Sequence, residues 1–131
     1  MSNHIIEAVN IEPVIAPVAQ TAGGNTTGTY IPLPAYGSID FVVRGGALAA
    51  GKKMTVEVYQ ASDAIGTGAA ELTAYETVFT APTGGSTDCV VTIPVNNADV
   101  TLGFATVKVS NDSGSAFPVD VFALTRKQYL D

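Results

Sequence analysis

His4 and Cys89 deserve the first look, since each occurs once in this 131-residue chain and each is of a type that can carry protons, attack carbon or hold a metal. A metal site or a Ser-His pair needs partners at defined spacing, and none stands near His4, which sits in an apolar leading segment. Cys89 shares one side of an alternating run with Val91, Ile93 and Val95, where a free cysteine behaves as a small hydrophobe. Asp40, Glu57, Glu71 and Glu76 could pair as in glycoside hydrolysis, yet they fall in separate segments, and no tryptophan is present to form a sugar platform. Asn111-Asp112-Ser113-Gly114 offers oxygens suited to calcium without the repeated acids and closing glutamate of a known loop. Gly66 and Gly68 stand two apart as in a phosphate loop, but no third glycine follows and no strand leads into a helix, so the pair reads as a turn. The residue inventory predicts no enzyme, no metal site and no cofactor. Tyr30, Tyr36, Tyr59, Tyr75 and Tyr129 suit contacts with other protein.

The elements that would position these groups are strands. In residues 38–44, Ile39, Phe41 and Val43 fall on one face and Asp40 and Arg44 on the other; Met54, Val56 and Val58 repeat the pattern against Thr55, Glu57 and Tyr59. The intervening Gly45-Gly46-Ala47-Leu48-Ala49-Ala50-Gly51 reads as a long hairpin loop whose glycines supply positive φ, so these two strands are expected to be neighbours in one sheet. Further strands are expected over residues 29–33, 73–80, 88–95, 102–110 and 117–124, separated by Gly, Pro, Asn and Ser turns, with residues 21–28 a glycine-rich loop and residues 125–131 a short tail. Seven or eight short strands without a helical stretch predict an all-β protein, an antiparallel β-sandwich of jelly-roll-like type.

Composition bounds the function. Charged residues make up 14% of the chain against about 25% in an ordinary soluble domain, so a good share of its surface is expected to meet other protein. A net charge of −6 with scattered basic groups argues against nucleic acid as a partner. No run approaches the roughly 18 apolar residues of a membrane helix, and the first residues lack the basic region of a signal peptide, so no membrane partner is expected. A single cysteine cannot form a disulfide within the chain and fits folding in a reducing cytoplasm.

Residues 1–20 read as an extended arm preceding a single sandwich domain over residues 21–131. Ile5, Ile6, Val9, Ile11, Val14 and Ile15 make the arm apolar, and Pro13 and Pro17 bar a long helix. Two readings stand open: an edge strand of the chain's own sheet, or an arm that binds a neighbouring subunit through those six residues by strand addition.

The run Tyr36-Gly37-Ser38-Ile39-Asp40-Phe41-Val42-Val43, with Gly46-Ala47-Leu48-Ala49-Ala50-Gly51, Thr55-Val56-Glu57-Val58-Tyr59-Gln60-Ala61 and Gly66-Thr67-Gly68-Ala69, resembles small virion proteins of tailed bacteriophages and prophages. The resemblance covers residues 29–72 and implies a head-associated structural role, such as a capsid decoration or cement protein assembled in the host cytoplasm. Its expected partners are further copies of itself, as a homotrimer, and the major capsid protein. A head-tail connector, a tail or head-fibre component, and a carbohydrate-binding sandwich are the alternatives.

Overall fold

Period-two alternation dominates the chain, and the computed structural model turns it into strands over residues 5–33 and 38–130, with side-chain environments described over 10–33 and 38–125. The strands are β1 (Ile5–Gln20), β2 (Asn25–Thr27), β3 (Ile31–Pro32), β4 (Ser38–Gly45), β5 (Lys53–Ala61), β6 (Ala70–Glu71), β7 (Thr77–Thr80), β8 (Cys89–Asn96), β9 (Phe104–Asn111) and β10 (Phe117–Leu130). One sheet runs β1-β10-β4-β8. The other runs β2-β9-β5-β6, with β3 also on β9 and β7 also on β5. Every ladder is antiparallel.

Because β2 and β3 share one side of β9, and β6 and β7 one side of β5, the strands occupy eight lanes. First pairs with last, β2 and β3 with β9, β4 with β8, and β5 with β6 and β7. That nesting is one long antiparallel hairpin rolled onto itself, the jelly roll, and the expected fold class holds.

The inner faces make the core. Ile39, Phe41 and Val43 from one sheet meet Met54, Val56, Val58, Val107 and Val109 from the other, all fully buried. Truncating a side chain of the Phe41 kind in such a core costs about 3–5 kcal/mol.

The expected hairpin of β4 and β5 is corrected. Both strands have the predicted apolar face, but they belong to different sheets, β4 between β10 and β8, and β5 between β9 and the β6 and β7 lane. Residues 46–52, at about 3.3 Å each, easily cross the roughly 10 Å between packed sheets. Within that crossing Gly51 has φ 78°, whereas Gly45 and Gly46 do not take positive φ. Gly45 is needed for close approach instead: a Cβ there would lie 2.5 Å from Phe117 Cζ and 2.7 Å from Cys89 Sγ.

Three smaller expectations also shift. The tail over residues 125–131 is strand as far as Leu130, paired with β1. The glycine-rich loop contains β2, because Asn25, Thr26 and Thr27 complete a ladder on β9. Residues 73–75 form a 3₁₀ turn before β7, pinned by Tyr75, whose hydroxyl donates to Asp99 and accepts from the Asn96 amide.

Candidate interaction surface

The residues with chemical potential are mostly committed to the fold. His4 lies outside the described residues. Cys89 is buried, its Sγ 3.7 Å from Met54 Sδ, and burial pushes its thiol pKa up, which suits a core residue and not a nucleophile. Asn111 is also buried: its amide donates to Gln20 Oε1 at 2.8 Å and to the Thr21 and Gly24 carbonyls, and its oxygen accepts from the Gly23 and Ser113 amides. Asp112 Oδ1 accepts a hydrogen bond from the Lys53 amide. The oxygens read as possible calcium ligands therefore fasten β1, β9 and the turns around them. Asp63 Oδ1 accepts from Ile65 N and Thr67 N, building the turn that holds Gly66 and Gly68.

Two of the spread carboxylates do meet. Glu71 sits beside Tyr59 in the β5–β6 ladder and shares a hydrogen bond with Glu57, which with desolvation raises its pKa above the ordinary carboxyl range. Tyr59 Oη donates to Glu57 Oε2 at 3.2 Å, and Lys108 stands across from Glu57 in register. Asp40 lies on the opposite sheet. Among the described residues no group of three His, Cys, Asp or Glu is placed to hold a metal ion.

The six arm residues separate. β1 is an edge strand of its own chain's sheet, antiparallel to β10 along its length, with register shifts after Pro13 and Ile15. Ile5, Ile6 and Val9 stand opposite Leu130, Tyr129 and Arg126. Val14 and Ile15 are in the core at 4% and 6% exposure, while Ile11 is 70% exposed. Gln20, buried at the strand's end, donates to Val109 O at 2.9 Å and Thr26 Oγ1 at 3.0 Å, tying β1 to the second sheet.

Exposed Ile11 belongs to a larger feature. Residues directly opposite in an antiparallel ladder project to the same face. On the outer side of the first sheet this gives the rows Ile11, Leu124, Asp40, Pro94; then Pro13, Phe122, Val42, Thr92; then Asp120, Arg44, Val90. Ile11 and Val90 are exposed, and Val42, Phe122 and Leu124 are half-buried with no second layer of described residues above them. Arg44 is ion-paired with Asp120, Nε to Oδ1 at 3.0 Å, and its guanidinium lies 5.9 Å from the centre of the Phe122 ring. The apolar surface continues into a shallow depression of about 280 Å³ lined by Pro17, Val18 and Pro118 beside that ion pair.

The outer side of the second sheet is more polar: Thr27, Lys108 and Glu57 form one row, and Asn25, Ser110, Thr55 and the exposed Val78 another. One face is mostly polar and the other mostly apolar. The signal for the apolar face is present in the sequence, in Phe41-Val42-Val43 and Val121-Phe122-Ala123, where apolar residues occupy both sides of a strand.

No protein-family model matches the chain, and no curated protein matches it. Solved structures do. The chain is similar to a chain in the crystal structure of the T13 IBDV viral particle, with a TM-score of 0.52 at 11% identity over 91% of this chain and 31% of that one. It is similar also to a mutant VP2 protein of infectious bursal disease virus in derived T=1 particles, with a TM-score of 0.53 at 10% identity over 92% of this chain and 31% of that one. At such identity the likeness is one of fold, and this chain spans about a third of the length of the chains it matches.

Proposed function

We propose that this chain is a structural component of a virus particle, and specifically a decoration protein that self-associates on the outside of a tailed-phage head and binds the major capsid protein there. The observation that carries this reading is the jelly roll itself: eight lanes in nested order account for nearly the whole chain, and the same fold occurs in two solved particle structures of infectious bursal disease virus. The resemblance of residues 29–72 to small phage virion proteins supplies the phage and the position on the head. A surface with few charges and one apolar sheet face suits a protein that works by packing on others. Cys89, Asp63, Asp112 and Tyr75 serve the fold, and Glu57, Glu71 and Tyr59 lie on an open sheet face.

The mechanism is linkage. A protein that binds the assembled shell and not its free subunits stabilises the assembly by mass action. Quantitative mass spectrometry of purified particles tests the assignment, because shell symmetry sets copy number. Hundreds of copies per particle are expected. About a dozen would place the protein at the head-tail connector, and absence from particles would end the virion reading.

A further inference from the structure

We infer that the outer face of the β1-β10-β4-β8 sheet is the surface through which one copy of this protein packs against a second copy. Ile11, Pro13, Val42, Phe122, Leu124 and Pro94 make that face apolar, and none of the described residues covers it. The inference rests on the self-association included in the proposed function and is independent of where on a particle the protein sits.

Charge selects the occupant. The chain carries a net −6, so copies approaching through acidic surface repel one another. In the rows of this face Arg44 and Asp120 neutralise each other, and Asp40 is the one further charge among the described side chains. With a sum of −1 over its described side chains against −6 for the whole chain, it is a surface on which two copies meet at little electrostatic cost; the second sheet's outer face, with Glu57, Glu71 and Lys108, has the same sum but sets it among polar rows.

Area agrees. Four strands at about 4.8 Å spacing and eight residues at about 3.4 Å rise give roughly 500 Å² before side-chain relief is counted. Two such faces bring the contact to about 1,000 Å², where specific interfaces begin. The sheet's edges favour the same geometry, because Pro13 and Pro17 interrupt β1 and Pro94 interrupts β8, which hinders growth by backbone pairing and leaves side-chain packing on the face.

Sedimentation equilibrium of the purified full chain over a wide concentration range tests this, with wild type beside Ile11→Glu, Val42→Glu and the control Val78→Glu on the other sheet, each checked for an unchanged β spectrum by circular dichroism. Wild type and the control should sediment as the same oligomer, and each face variant should weaken self-association at least about tenfold, toward the 13.4 kDa monomer. Should Val42→Glu fail to fold, the 70% exposed Ile11 still decides the matter. A wild type that is monomeric throughout, or an Ile11→Glu protein with the wild-type mass, would overturn the inference while leaving the particle assignment to its own copy-number measurement.

Discussion

Gly45 shows how a single residue can be misread from local pattern. Its place beside Gly46 before a small-residue run suggests a turn, yet what excludes a side chain there is the packing of Phe117, Cys89 and Met54 around its Cα. Gly45→Ala should therefore lower unfolding stability by about 2 kcal/mol in urea titration, through overpacking and not through backbone strain. Glu71 gives a prediction in pH. Its folded pKa is raised, first by the hydrogen bond with Glu57 and then by desolvation, so the folded state holds that proton more tightly than the unfolded chain. Stability from this group is then present below the unfolded carboxyl pKa and is lost as pH rises through the folded value. Glu71→Gln should raise the urea midpoint at about pH 7 and leave it unchanged at about pH 3.

At the scale of elements, alternation identified which side of each central strand faces inward, and Ile39, Phe41, Val43, Met54, Val56 and Val58 are all fully buried as read. It could not say which sheet a strand joins, because period two is the same for a hairpin and for a crossing between sheets; hence β4 and β5 were expected side by side. β2 escaped because its Asn-Thr-Thr ladder carries no apolar signal, and the last residues of β10 because polar and apolar types mix there. Sequence left β1 open between an edge strand and an exchanged arm, and the pairing with β10, the buried Val14 and Ile15, and the Gln20 hydrogen bonds place it within this chain's own sandwich. The consequence is measurable in the isolated protein. Ile15→Ala should cost about 3 kcal/mol in urea unfolding, and Ile11→Ala no more than about 0.5 kcal/mol. Equal, small effects would mean that β1 contributes little to the folded domain.

For the whole molecule, the two sheets divide the labour. Both give their inner faces to a shared core, but one turns hydroxyls, amides and charges outward while the other turns outward an apolar surface that a solitary domain has no use for. The low charge content pointed to contact with other protein; it could not say which surface, because that depends on how ladders from distant parts of the chain bring Ile11, Phe122 and Val42 side by side. In the proposed role the protein is added to a shell and stabilises it only by binding the assembled form. The most direct test is to add the purified protein to head shells lacking it and to measure both retention on the shells and their thermal dissociation. Saturable binding with a dissociation temperature that climbs as the protein is titrated is the predicted result; shells that neither retain the protein nor gain heat resistance would contradict the account.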